Sequence, residues 1–196
     1  PYKGSLLVAQ MALFLESTRP DIQFEVVESR GAWAENVEVV TSHGGDKRSS
    51  LRNVLVTQTT TDMRPIYSRS RIILAPSLWW ESGSRVLAEG LLNGIPAIVT
   101  NNGGSPEMVG PGGIKIELPK EMHNAPYSKL LPEQAIISFA KVIERVYDDQ
   151  KFYSNLVLGA KKQADEKHDI AKNAIKLSQK INAIINSDLG ALHSFS

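Results

Sequence analysis

An α/β fold built on an open parallel sheet, with helices on both faces, is what this sequence predicts. Three observations carry the prediction. Hydrophobic period switches back and forth between helical and strand values along most of the chain. Two short apolar runs without alternation, residues 72–75 and 96–100, read as strands covered on both faces. Helical patterns follow the strand candidates in turn, the order that makes a parallel sheet with crossover helices.

Element by element, Leu7, Met11, Phe14 and Leu15 fall at i, i+4, i+7 and i+8 and define a first helix face. Pro20 disfavours helical geometry in the residue before it, so this helix ends near Thr18. Ile22, Phe24 and Val26 alternate with Gln23 and Glu25, a strand leading into a turn over residues 29–31. Residues 33–40 read as a short helix and a strand, and 42–50 as turn. A short strand at 54–56 and a short helix at 62–68, capped by Asp62, precede the apolar run at 72–75. A helix over 84–92 closes on Asn93-Gly94. After the run at 96–100 come the Asn101-Asn102-Gly103-Gly104 turn, a short helix at 106–109 and a strand at 114–118. Residues 119–131 form a polar linker, beyond which the chain is helical. Pro132 suits a first helical turn. Ile136, Phe139, Ala140, Ile143 and Tyr147 make one stripe, and Leu177, Ile181, Ile184 and Ile185 another. The interleaved charges at 161–169 form a solvated face.

Composition excludes whole classes of chemistry. The chain has 196 residues, 22 Lys+Arg against 21 Asp+Glu, and a formal net charge of +1. No global field recruits nucleic acid or an anionic membrane. The absence of Cys removes disulfide scaffolds, Cys-ligated zinc, thiol nucleophiles and redox CxxC chemistry. No apolar stretch approaches the about 20 residues of a spanning helix. Pro1 opens the chain with no basic-then-apolar leader after it, which reads as an interior segment of a soluble protein from a reducing compartment. There is no GxGxxG and no GxSxG elbow, and Gly44-Gly45-Asp46-Lys47 lacks the spacing of a P-loop. His43, His123, His168 and His193 are dispersed, and no Asp-x-Asp occurs, so a metal site is not expected.

The chemistry concentrates in residues 71–109. A buried strand emerges at Pro76-Ser77, a turn carries Glu81 to Ser84, and a helix begins. Ligands of open α/β folds bind outside the carboxyl ends of strands. A helix N-terminus there offers unpaired N–H groups and about half a positive charge to a phosphate. Gly83 allows close backbone approach, and Arg85 in the first turn adds a charged contact. Glu89, tilted back toward the N-terminus, reaches the same crevice, where a carboxylate suits a ribose diol. The helix dipole by itself also favours glutamates near a helix start, and a Glu pair eight apart arises often by chance, so the Glu81/Glu89 pair alone reads as solvated side chains. At least one of Trp79 and Trp80 is expected in the core, the other either there or at the cleft.

Pro76-Ser77, Trp80-Glu81, the Glu81-x7-Glu89 pair, Asn93-Gly94-Ile95-Pro96 and Gly103-Gly104-Ser105-Pro106-Glu107 occur in the order and spacing of a family pattern. The cluster resembles the Rossmann-like, donor-binding C-terminal domain of GT-B glycosyltransferases, specifically the large retaining group called family 4. Tyr2-Lys3-Gly4 ahead of a helix resembles that family's Lys-Gly segment. Departures are Ser84 where the family often has Gly, and Glu28-Ser29-Arg30-Gly31 in place of a Gly-rich turn. The resemblance implies a metal-independent, retaining hexosyltransferase that moves a sugar from a nucleotide-diphosphate-sugar to an acceptor hydroxyl in polysaccharide or glycolipid synthesis, with no resident cofactor. By position it gives Glu89 the ribose and Glu81 the donor sugar at its reacting end. It gives the diphosphate to Lys3 and to the backbone at Gly83, Ser84, Arg85 and Val86. It divides the chain into a nucleotide-sugar-binding domain at 1–131 and a helical extension at 132–196 packed on it. An acceptor domain lies outside the chain, without which this segment is inactive. The partners implied are the donor and a carbohydrate or lipid-linked acceptor, not nucleic acid. The location implied is the cytoplasm, extending to the cytoplasmic face of a membrane. A GT-B sugar-nucleotide epimerase and a non-catalytic nucleotide-sugar-binding module are the alternatives.

Overall fold

Short parallel strands, each followed by a helix, organise the computed structural model, which describes residues 2–28 and 31–193, with side chains to 186. In chain order the elements are α1 (Ser5–Thr18), β1 (Phe24–Glu28), α2 (Trp33–Ser42), β2 (Val54–Gln58), α3 (Arg64–Tyr67) and β3 (Ile73–Ala75). They continue through α4 (Arg85–Leu92), β4 (Ala97–Thr100), α5 (Ser105–Val109), β5 (Gly113–Ile116), α6 (Glu133–Asp148), α7 (Gln150–Gln163) and α8 (Ile170–His193). The predicted α/β class with parallel strands flanked by helices is what is found. The strands form two ladders rather than one sheet. β1 pairs with β2, Phe24 opposite Val54, and β3–β4–β5 form a second ladder with Ala97 opposite both Ile73 and Gly113.

The expected elements fall close to their expected places, and the differences have local causes. Residues 33–42 are helical throughout, where a helix followed by a strand was expected. The alternating Val37-Glu38-Val39-Val40 run imitates a strand. Trp33, Val37 and Val40, at i, i+4 and i+7, nevertheless bury one helix face, and tertiary packing decides. Asp62 stands one residue outside the cap of α3, which is Met63. It accepts from the Arg64 N–H at 3.1 Å and pairs with the Arg64 guanidinium. Pro132 is the N-cap residue of α6 rather than part of its first turn. The expected turn at 29–31 lies mostly outside the described residues.

One core joins α1 to α6. Leu7, Met11 and Leu15 share a buried cluster with Phe139, Ala140 and Ile143. Burying each such side chain contributes about 1.5–3 kcal/mol. The Gln10 amide, itself buried, clamps the entry to α6 by donating to the Leu131 carbonyl and accepting its N–H at 2.8 Å. α7 lies against residues 110–113, where a Cβ on Gly112 would fall 2.4 Å from Ala160 Cα and one on Gly159 would fall 2.2 Å from the Pro111 carbonyl oxygen. Only paired glycines permit that approach. The expectation that the whole extension packs on the domain fails at α8. Ile170, Leu177, Ile181, Ile184 and Ile185 are exposed there, because α8 leaves the domain after a π-helical turn at Ala164–His168.

A buried carboxylate ties α1 to the loop before β2. Glu16, 6% exposed at its side chain, accepts from the Arg52 N–H at 2.6 Å and from the Arg48 guanidinium at 3.0 Å. Burial pushes its pKa up, but these donors and the two arginine charges outweigh it, and the net shift is downward. A pKa lower in the folded state than in the unfolded chain means a stabilisation fully present above about pH 4.3, the unfolded value, and lost as pH falls through the folded one. Glu16→Gln is expected to cost roughly 1–3 kcal/mol at pH 7. In urea titrations the gap between variant and wild type narrows as pH drops below about 4. A gap independent of pH contradicts this assignment.

Candidate functional site

The site forms where β3 and β4 end. After β3 the chain turns through Pro76 and Ser77, buries Leu78, and presents residues 79–84 before α4 begins. A second loop, 101–104, leaves β4 and presses on the first. A Cβ on Gly103 would fall 2.5 Å from the Glu81 carbonyl oxygen, and one on Gly104 2.3 Å from that of Ser82. Gly103 also has φ +62°, so its glycine is required twice over. The Gly104 N–H donates to the Glu81 carbonyl at 2.6 Å, and Asn102 Nδ2 to that of Leu78 at 3.1 Å. A third segment, residues 2–4, is stitched to the same place, with the Tyr2 carbonyl accepting from the N–H groups of Leu78 and Trp79 at 2.9 and 3.3 Å.

The structure brings the predicted site residues together and pairs several of them with each other. Lys3 Nζ lies 2.5 Å from Glu81 Oε1, with Lys3 57% and Glu81 12% exposed at their side chains. The Lys3 ammonium and the Glu81 carboxylate, to which the resemblance assigns separate tasks, form one ion pair. Glu89 is held from two sides. Tyr67 Oη donates to its Oε2 at 2.7 Å, and Arg85 Nε approaches its Oε1 at 3.2 Å, one helical turn away. Arg85 was expected to reach an anion at the helix start; its guanidinium is instead turned toward Glu89. Burial, then the hydrogen bond to Glu89 and the nearby carboxylate charge, push the Tyr67 phenol well above its ordinary pKa, so it remains a donor at neutral pH.

At the start of α4 the Ser84 carbonyl accepts from Leu87 N–H, and the Ser84 side chain makes no capping bond. The amides of Arg85 and Val86 belong to the first turn, where no carbonyl inside the helix can serve them. The Ser84 N–H points at Met108 Sδ, 3.0 Å away, and a Cβ on Gly83 would meet the same sulfur at 3.3 Å. A thioether is a weak acceptor, so that amide is shielded without being strongly committed. Val86 packs against the buried cluster of Leu87, Ala97, Val99 and Val109. The expectation that Trp79 or Trp80 enters the core is not met: they are 52% and 75% exposed. Leu78 occupies the interior position, and Trp79 lies edge-on between Tyr2 and Tyr127.

Neither Tyr67 nor Met108, both in contact with the site, is singled out as a site residue by the sequence. Neither carries a spacing signal, since each reaches the site from a separate short helix. Among the described residues no group of three or more His, Cys, Asp or Glu gathers to hold a metal, and no helix is long and apolar enough to cross a membrane.

Fold and site together define an open α/β domain with polar groups gathered at the carboxyl ends of its strands, the place where such folds take their ligands. The chain belongs to the glycosyl transferases group 1 family, whose model matches residues 5–149. No curated protein matches it. Among solved structures it is similar to a glycosyltransferase from Rickettsia africae ESF-5, at 19% identity and a TM-score of 0.66 over 92% of this chain and 45% of that one. HepE of Anabaena, solved in complex with UDP, is similar at 16% identity and a TM-score of 0.68, over 93% of this chain and 46% of that one. The pneumococcal O-GlcNAc transferase GtfA, solved with UDP and GlcNAc, gives 17% and 0.66 over 90% and 32%. At these identities the likeness is one of fold, the GT-B glycosyltransferase architecture. The chain spans less than half the length of each of these proteins.

Proposed function

We propose that this chain is the donor-binding C-terminal domain of a retaining, metal-independent family 4 glycosyltransferase, a hexosyltransferase that uses a nucleotide-diphosphate-sugar as donor. The observation that carries the proposal is the placement of Glu81, Lys3 and Glu89 around the first turn of α4. Glu89 lies four residues into the helix with its carboxylate already oriented by Tyr67 and Arg85, and a carboxylate has about four acceptor positions, enough to take a ribose diol as well. The amides of Gly83, Ser84, Arg85 and Val86 face the diphosphate, with Met108 displaced from the Ser84 N–H. Lys3 exchanges Glu81 for the phosphate oxygens, which frees the Glu81 carboxylate for the donor sugar. Stabilising charge on the departing diphosphate is the main catalytic service of such a half-site. The donor class is supported by the UDP in the HepE and GtfA complexes.

In this reading the acceptor, a carbohydrate or lipid-linked hydroxyl, binds a separate N-terminal domain, and the isolated segment binds donor without transferring it. The complete enzyme works in the cytoplasm, extending to the cytoplasmic face of a membrane. Calorimetry of the chain against a panel of nucleotide-diphosphate-sugars tests the reading, and NMR of the complete enzyme's product tests retention at the anomeric carbon. Lys3→Ala is expected to weaken donor binding by roughly ten- to a hundredfold, the worth of one charge-assisted contact. Failure of every nucleotide sugar to bind sinks the proposal.

A further inference from the structure

Two neighbouring tryptophans stand in water beside the ion pair of the site, while the third, Trp33, is buried. Trp79 is fixed by its surroundings. Its N–H donates to the Tyr2 carbonyl, and its ring lies 6.4 Å from those of Tyr2 and Tyr127, tilted 63° and 67° against them. Edge-to-face pairs of this kind hold aromatic rings in a preferred geometry. Tyr127 reaches its place with φ +60°, a left-handed backbone unfavourable for a bulky side chain. Trp80 makes no ring contact among the described residues and is the more exposed of the two.

Aromatic rings and charges form one surface here. Lys3 Nζ stands 5.9 Å from the centre of the Tyr2 ring, and the same ammonium pairs with Glu81, the residue after Trp80. That combination selects its occupant. A pyranose ring has faces of C–H groups and an edge of hydroxyls. The C–H hydrogens carry partial positive charge and are drawn to the negative face of an aromatic ring. The hydroxyls suit a neighbouring ammonium and carboxylate. An apolar protein surface laid over the same residues would strip water from the largely exposed Lys3 ammonium and supply nothing in its place. Stacking costs little order, because Trp79 is already held and indoles are large and rigid. Sugars are also what glycosyl transferases handle, and the chain belongs to a family of them.

We propose that Trp79 and Trp80 form a stacking platform for a pyranose ring beside the Lys3–Glu81 pair. The proposal rests on the sugar-transfer reading above and extends it to two side chains which that reading leaves idle. The ring belongs either to the donor sugar or to a sugar of the acceptor. Both present the same chemistry, and the test tells them apart.

The three tryptophans give three indole N–H resonances in NMR spectra of the whole chain. Methyl glycosides of glucose, galactose, mannose and N-acetylglucosamine probe for an acceptor sugar. For the donor, each nucleotide sugar of the calorimetric panel is compared with its nucleoside diphosphate. The expected result is a saturable shift of the Trp79 and Trp80 resonances while that of Trp33 stays in place. Saturation of the aromatic protons passes to C–H groups on one face of the sugar. Trp80→Ala is expected to weaken this binding about three- to tenfold, and Trp80→Phe to restore most of it. A loss with free glycosides identifies the acceptor's sugar. A loss with the nucleotide sugar but not with its diphosphate identifies the donor's. The proposal is overturned if no probe moves both resonances or if Trp80→Ala binds as wild type does. It is also overturned if the resonances move with protein concentration alone, which marks a contact between copies. The glycoside arm contains no nucleotide, so it is read separately from donor binding.

Discussion

Glu89→Ala is expected to abolish measurable nucleotide-sugar binding while leaving the fold intact. A carboxylate that accepts two ribose hydroxyls contributes two charge-assisted hydrogen bonds, each worth about 1.5–3 kcal/mol. Losing both corresponds to a dissociation constant at least about a hundredfold higher. The structural cost is about 1–3 kcal/mol. Glu89 is 38% exposed at its side chain, and the truncation leaves Arg85 in water but takes from the buried Tyr67 hydroxyl its acceptor. Tyr67→Phe separates orientation from contact. It removes the 2.7 Å bond to Glu89 Oε2 but keeps the carboxylate, so binding weakens by a few-fold to tenfold rather than vanishing. Because burial and Glu89 hold the Tyr67 phenol protonated, the difference between wild type and Tyr67→Phe should not vary between about pH 7 and about pH 10, where an unshifted phenol would be half ionised. Titration by calorimetry with each variant decides. Unchanged affinity in Glu89→Ala removes the ribose assignment.

The sequence disclosed the parts of this site whose signal is carried by spacing. Glu81 and Glu89 flank the start of a helix that Asn93-Gly94 closes, and Gly103-Gly104 follows a strand that is apolar up to Thr100; each is a local pattern tied to backbone geometry. What it did not disclose is pairing across distant segments. Lys3 and Glu81 are 78 residues apart and Tyr67 and Glu89 22 apart, and no periodicity connects either pair. The same limit explains α8 and Trp79-Trp80. An apolar stripe or an aromatic pair predicts that something will cover it, without saying whether the cover lies within these residues. In α2 the local β-branched run and the helical repeat of Trp33, Val37 and Val40 gave competing periods. Only the burial of that face against α1 chose between them.

The largest loss of stability from a single methyl group is expected at Gly4. Among the glycines with left-handed φ angles, Gly4 at +81° and Gly31 at +69° form a comparable pair, and the strain of an alanine in that region is alike for both, roughly 1–2 kcal/mol. Their surroundings differ. A Cβ on Gly31 meets nothing within 4 Å, whereas one on Gly4 falls 2.1 Å from the Pro76 carbonyl oxygen and 2.9 Å from its carbon. Those are backbone atoms at the end of β3, held by the neighbouring bonds of Leu78 and Trp79, and cannot rotate aside as a side chain could. Residues 2–4 must therefore lift away in Gly4→Ala, surrendering the two backbone hydrogen bonds to the Tyr2 carbonyl, each worth about 1 kcal/mol. The expected cost is about 3–4 kcal/mol for Gly4→Ala against about 1–2 for Gly31→Ala, read from urea unfolding of the two variants side by side. The same displacement carries the Lys3 ammonium off Glu81, so Gly4→Ala should also bind donor more weakly under conditions where it remains folded. Gly31→Ala should bind as wild type does. Equal losses of stability in the two variants would show that conformational strain alone matters at Gly4, and that the contact with Pro76 does not hold Lys3 in place.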